Sequence, residues 1–356
     1  MDKTELLLKE LTETSGPPGR EEDVATLMER RLKPMAKVSY DRLGSLIAEK
    51  KGSAAAPRVM IAGHMDEVGF LVTDVTKEGF IKFLGLGGWW GHVALAQRVR
   101  ILTKKGNVRG IIGSKAPHVI PPEERKKVLD ISELFIDVGC ADKFDVRKKL
   151  GIEIGDVIVP EASFEIMANR DMYLAKAFDN RVACAAVIDV LAKLKQTRHP
   201  NTVYGVGTVM EEVGLRGAGT AAWQVDPDVA FAVDVTVARD TPGMSPAGEA
   251  LQKGPVIIVY DGSHIPNFRL RKLVQETAEK SRIPFQLGSL ARGGTDSGRI
   301  HMTRRGVPVM TLAIATRYIH SHAAMLSRKD YDNLVKLMVA VIRKLDAKTV
   351  KSLTRG

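Results

Sequence analysis

At 356 residues the chain is longer than a single hydrophobic core usually supports, and its apolar share of 44% is that of a globular protein, so two domains are expected. No run of about 18 apolar residues is present to span a bilayer, and the opening Met1-Asp2-Lys3-Thr4-Glu5 lacks the regions of a secretory signal, so a cytoplasmic protein with no membrane partner is expected. The net charge of +11 admits a nucleic-acid partner, but the basic groups (Lys104-Lys105, Arg125-Lys126-Lys127, Arg147-Lys148-Lys149) carry no interleaved aromatics for base stacking and read as solvated surface.

In chain order, helical periodicity appears from Leu6 to Leu11 and again through Val24, Leu27, Met28 and Leu32, with Gly16-Pro17-Pro18-Gly19 as a rigid turn between them. Leu46-Ile47-Ala48 reads as a strand, and Val59-Met60-Ile61-Ala62 as a buried strand that stops at Gly63-His64. From about Leu71 to Ile166, short alternating runs broken by turns such as Lys105-Gly106-Asn107 predict a small all-β unit. After Asp179-Asn180 comes a helix with Cys184, Val187, Ile188, Leu191 and Leu194 on one face. Strands are expected at Thr202–Met210, Val229–Val233 and Val307–Ala315, separated by helices that include Leu270–Ser281 and Asp330–Leu345, and the basic tail Lys348–Gly356 is expected to be mobile. The fold class is α/β: a mixed, largely parallel sheet flanked by helices (1–70 and 167–356), interrupted by an inserted small β-rich unit (71–166).

The chemistry lies just beyond the strands. Val59–Ala62 leads to His64 and Asp66, Thr202–Met210 to Glu211 and Glu212, Val229–Val233 to Asp234, and Val307–Ala315 to His320. An open α/β sheet binds ligands beyond the carboxyl ends of its strands, so separate segments deliver carboxylates and imidazoles to one edge. Asp179, at a helix start, can present its carboxylate from the preceding loop. Singly, each has an ordinary explanation as a loop residue, a solvated pair or a helix cap. Jointly they form the His/Asp/Glu set that zinc, cobalt or manganese requires. The two cysteines, Cys140 and Cys184, lack redox or zinc spacing and are expected to be buried, reduced thiols without a role.

His64-Met65-Asp66-Glu67-Val68-Gly69, Ala177-Phe178-Asp179-Asn180-Arg181, Met210-Glu211-Glu212-Val213-Gly214, Val233-Asp234, Gly293-Gly294-Thr295-Asp296 and Arg317-Tyr318-Ile319-His320-Ser321 closely resemble, in order, the motifs of the tetrahedral or deblocking aminopeptidases. That family includes glutamyl aminopeptidases and chains labelled as endoglucanases. The resemblance implies a zinc-peptidase-like catalytic domain, a β-barrel dimerisation domain, two divalent metal ions per subunit, peptide substrates with a free N-terminus and a tetrahedral dodecamer of dimers. By position it implies that Asp179 bridges both metals, that Glu212 and His320 complete one site and His64 and Asp234 the other, that Asp66 orients the His64 ring, and that Glu211 is the general base. If the preceding strand runs on through Glu211 and Glu212, the two point in opposite directions.

Gly87-Gly88-Trp89 resembles a family turn of the inserted unit, Thr295 and Asp296 are placed at the substrate pocket, and His264 is a candidate contact for the substrate's side chain. His92, His118, His199, His301 and His322 read as structural or exposed. The rivals are a metal-dependent deacylase acting on a small amide and, in another class, a nucleic-acid-binding protein. An endoglucanase fits poorly, since a glycosidase normally works with two carboxylates and no metal pair.

Overall fold

A computed structural model describes residues 1–245, 247–291 and 293–354. Two helices, α1 (Lys3–Glu13) and α2 (Glu22–Leu32), open the chain. An Asp2/Glu5 capping box starts α1, and acidic residues at the start of α2 with Arg30 and Arg31 at its end suit the helix dipole. Next come β1 (Lys37–Tyr40), β2 (Leu46–Lys50) and β3 (Arg58–His64). The chain then leaves the main sheet to form a closed barrel of β4 (Gly69–Val75), β5 (Ile81–Leu86), β6 (Arg98–Thr103), β7 (Gly106–Gly113), β8 (Phe135–Asp137) and β9 (Val157–Pro160), with the short α3 (Gly91–Ala94) in one connection. This unit has its own core, including Phe70, Ile81, Val99, Ile101, Ile136 and Ile158.

The return path makes a ribbon from β10 (Glu165–Ile166), β11 (Met172–Ala175) and the later β17 (Ala324–Ser327). Then follow α4 (Phe178–Leu194), β12 (Thr202–Thr208), α5 (Arg216–Val225), β13 (Val229–Val237), β14 (Val256–Asp261), α6 (Phe268–Lys280), β15 (Gln286–Leu290), α7 (Ser297–Ile300), β16 (Val309–Thr316), α8 (Arg328–Ile342) and α9 (Ala347–Ser352). The eight-stranded sheet runs β1-β2-β12-β3-β13-β16-β14-β15. Its centre, β12 through β16, is parallel, and β14 and β2 join it antiparallel. The expected α/β fold with an inserted barrel is therefore the observed one. Among the described residues, no helix is long and apolar enough to cross a membrane.

Apolar side chains cover both faces of the central strands, as a parallel sheet requires. On one face α4 lies against β3 and β13. Gly63 permits this approach, because a Cβ there would stand 2.5 Å from the Ala183 Cβ. The helix that follows Asp179 is thus seated directly on the strand that ends in His64.

Several expectations change. The tail is not free: α9 forms, with Val350 and Leu353 buried, and the Arg269 guanidinium donates to the Ser352 carbonyl at 2.7 Å. Its last two positions lie outside the described residues. Cys184 is buried, whereas Cys140 is only partly so. The structure adds the helix α5 and the strands β14 and β15, the last an edge strand of alternating exposure around Gly288.

Candidate active site

His64 closes β3 at the edge shared with β12 and β13. Its Nδ1 lies 3.1 Å from the Asp66 carbonyl and 3.4 Å from the Asp66 carboxylate. With the Nδ1 proton held there, Nε2 faces the other acids, 3.1 Å from Asp179 Oδ1 and 3.8 Å from Glu211 Oε2. Asp179 sits in non-helical backbone (φ −81°, ψ 101°) ahead of the regular part of α4, and its second oxygen, Oδ2, is 3.2 Å from His320 Nε2. One carboxylate therefore faces two imidazoles from opposite ends of the chain. Asn180 anchors this start of α4 by donating to the Val233 carbonyl at 2.9 Å, beside Asp234.

Strand β12 ends at Thr208, so strand alternation does not separate Glu211 from Glu212. They stand on a turn entered through Met210 at φ +55°. The Asp66 carboxylate accepts the Glu211 amide on one oxygen and the Glu212 amide on the other, each at 3.0 Å. Asp66 thus holds the backbone of the glutamate pair as well as the His64 ring. Glu212 Oε1 lies 3.5 Å from His320 Nε2, is buried and has no hydrogen-bond partner. Asp234 is inside β13 rather than at its end, since the strand continues to Val237. His320 follows β16 in a left-handed conformation, and its Nδ1 donates to the Gly88 carbonyl at 2.7 Å.

His64, Asp179, Glu211, Glu212, Asp234 and His320 line a cavity of about 380 Å³, together with Leu215, Leu290, Gly293, Gly294, Thr295 and Ile319. Ligand atoms converge in the groups His64/Asp179/Asp234 and Asp179/Glu212/His320, which share Asp179, and in a third, His64/Glu211/Glu212. Burial, with the charges of Asp234, Glu212 and Asp296, pushes the Glu211 carboxyl well above its usual range. Burial and Asp179 raise Glu212 to about 8 and hold Asp234 well above a normal aspartate. Burial would lower His64 and His320, but the surrounding carboxylates outweigh it, holding His64 well above the usual histidine range and His320 up at about 10. Burial opposes ionisation of Asp179 too, yet hydrogen bonds from His320 and His64 bring it below its usual range. So dense a set of buried acids favours positive charge in the cavity.

The remaining predicted residues divide. Thr295 is on the cavity wall, its hydroxyl 3.0 Å from Asp261 Oδ2. Asp296 is buried off the wall and accepts the Thr208 hydroxyl at 2.5 Å. His264 is buried against Asp261, which accepts its backbone amide at 2.9 Å and lies 3.2 Å from its Nδ1, away from the cavity lining. His92 and His118 are exposed, while His199, His301 and His322 bond to protein groups. Gly88, read from the sequence only as part of the Gly87-Gly88-Trp89 turn, supplies a backbone carbonyl to His320. A larger cavity of about 580 Å³ at the opposite end of β3 and β13 is lined by Arg58, Asp226, Arg304, Arg305 and Lys351 among others, with no histidine.

The sequence pattern of the M42 glutamyl aminopeptidases matches residues 44–337. The chain belongs to this family. This M42 peptidase is 38% identical over 355 residues to FrvX of Escherichia coli (strain K12), covering 98% of each chain. It shares 44% identity and a TM-score of 0.96 with the TET aminopeptidase of the marine sediment archaeon Thaumarchaeota archaeon SCGC AB-539-E09, covering 99% of both chains. The TET1 peptidase of Pyrococcus horikoshii, which can assemble into a tetrahedron or a large octahedral shell, matches with a TM-score of 0.86 at 31% identity, covering 96% of this chain and 100% of that one.

Proposed function

We propose that this M42 peptidase removes single residues from the free N-terminus of peptides at a pair of divalent metal ions, with Glu211 as general base. The observation that carries the reading is the position of Asp179, whose two oxygens face His64 and His320 and which belongs to two converging donor groups at once. The donors fit such ions: imidazole nitrogens and carboxylates without a thiol suit zinc, cobalt or manganese, and the buried Glu212 Oε1, which has no hydrogen-bond partner, would serve as a ligand atom. Asp179, Glu212 and His320 would hold one ion, and His64, Asp179 and Asp234 the other. When bound, the ions would acidify the attacking water and polarise the scissile carbonyl.

The chain's own residues supply the rest. Glu211 takes the water's proton as the new C–O bond forms and returns it to the amine nitrogen as the C–N bond breaks. Asp66 fixes Glu211 and Glu212 through their amides and turns the His64 ring toward the cavity.

The test pairs a peptide with its N-acetylated form, using protein stripped by chelation and refilled with zinc, cobalt or manganese. Stepwise shortening of the free peptide alone, only after refilling, is the expected result. Cleavage of the blocked peptide would turn the reading toward a deacylase or an endopeptidase. For assembly we propose a dodecamer built from dimers in which the inserted barrel contributes to dimerisation, supported by the likeness to the P. horikoshii peptidase over 96% of this chain. Light scattering that gave only a monomer at micromolar concentration would overturn it.

A further inference from the structure

The turn that bears Glu211 is also held by a carboxylate from the start of the chain. Glu21 occupies the N-cap position of α2, where a short polar side chain would ordinarily bond the free amides of its own helix. It makes no such bond. The residue is only 5% exposed, and its Oε1 accepts the amides of Gly19 and Met210, each at 2.9 Å. The next amides, those of Glu211 and Glu212, end on the Asp66 carboxylate. Successive N–H groups of Met210, Glu211 and Glu212 are therefore received by buried acids from separate segments. Met210 lies at φ +55°, a conformation that a residue with a side chain keeps only when its surroundings impose it. The loop bearing Glu21 is itself tied down, because the Gly16 carbonyl accepts the Glu67 amide at 3.0 Å and the Arg181 guanidinium at 3.1 Å.

We propose that Glu21 is a positioning residue for the hydrolysis, aiming Glu211 by holding the Met210 amide. The inference rests on Glu211 being the general base. Only an acceptor oxygen at the Oε1 position is needed, so Glu21→Gln should preserve the function and Glu21→Met, which keeps length and burial, should remove it.

In the metal-loaded enzyme, Glu21→Met is expected to lower kcat by about 10- to 100-fold, the scale of a misplaced catalytic group, with KM within about twofold. Glu21→Gln should recover most of the rate. Hydrogen exchange of the 209–215 segment, read by mass spectrometry, should quicken in Glu21→Met and stay slow in Glu21→Gln. Added to Glu211→Gln, Glu21→Met should cost nothing further, because the group it aims is already gone; general damage would instead multiply the loss. A normal kcat in Glu21→Met, unchanged exchange, or a multiplicative loss on the Glu211→Gln background would overturn the proposal. If Glu211→Gln were itself fully active, the general-base assignment would fail first, and the exchange data would still decide whether Glu21 holds the turn.

Discussion

The Gly88 carbonyl, on the barrel, receives the Nδ1 proton of His320, on the α/β sheet, at 2.7 Å across 232 residues of sequence. A Cβ at Gly88 would stand 3.1 Å from that nitrogen and 3.4 Å from Cε1, so the ring would have to move. On the proposed two-metal reading, Gly88→Ala is therefore expected to weaken the ion at His320 by about 10- to 100-fold, the usual cost of disturbing a ligand's partner. Metal content per subunit after graded dialysis checks this; two ions retained at native affinity would count against it.

The neighbouring acids Glu211 and Glu212 should separate cleanly by their variants. If Glu211 is the general base of a two-metal site, as proposed, Glu211→Gln is expected to keep both ions while its rate falls by about 10²- to 10⁴-fold as proton transfer is lost. Glu212→Gln replaces a carboxylate in the Asp179/Glu212/His320 group, so it should lose one ion and regain part of its activity in excess metal. His64, Glu211 and Glu212 also converge, so loss of an ion in Glu211→Gln with both retained in Glu212→Gln, read by metal analysis beside kinetics, would reverse the two roles.

Lys176 and Glu67 form a fully buried pair at 2.6 Å, with the Arg181 guanidinium 3.4 Å from the other Glu67 oxygen. Burial lowers the lysine to about 8 even against this partner. Lys176→Met would leave Glu67 under-compensated and is expected to destabilise the fold by about 3–5 kcal/mol. Denaturant unfolding of the metal-free protein measures it, and a loss under about 1 kcal/mol would show that Arg181 alone satisfies Glu67.

Stability should also report on Glu21. Burial, aided by the Asp66 charge, raises its carboxyl from 4.5 to about 7, so the native state holds a proton that the unfolded chain has released between those values. Its contribution is complete below pH 4.5 and is lost as pH rises through about 7. Glu21→Gln cannot titrate, so its stability relative to the native protein should climb across that window by up to about 3 kcal/mol. Melting temperatures of both metal-free proteins from pH 4.5 to 8 test the sign; a constant difference would refute it.

Much of the candidate site was legible because its acids and imidazoles, apart from Asp179 at the start of α4, follow or sit within strongly apolar strands, and the topology of a parallel sheet brings those ends together. His64 and Asp234 come from adjacent strands β3 and β13, and no conformational detail was needed to place them side by side. What stayed hidden depends on backbone. Strand alternation was the wrong argument for Glu211 and Glu212, because left-handed Met210 turns the chain before it reaches them. The Gly88 carbonyl has no side-chain signature, and the two amides received by Asp66 cannot be read from a pattern of residue types. His264 was a candidate substrate contact because the resemblance puts Asp261-Gly262-Ser263-His264 where the family varies around the pocket, yet Asp261 receives its amide and faces its Nδ1, and the ring is not on the cavity wall.

The candidate metal centre draws on residue 64 near the start of the chain, on residues 179, 212 and 234 along its middle, and on His320 near its end. No stretch made early in synthesis can complete it, and on the proposed reading a chain still lacking β16 and the segment after it has only a partial set of ligands. Activity would therefore appear at the close of folding, once the central sheet has formed. A half-made copy, still unfolded among other nascent chains, would carry the acids of a protease without being able to cut its neighbours.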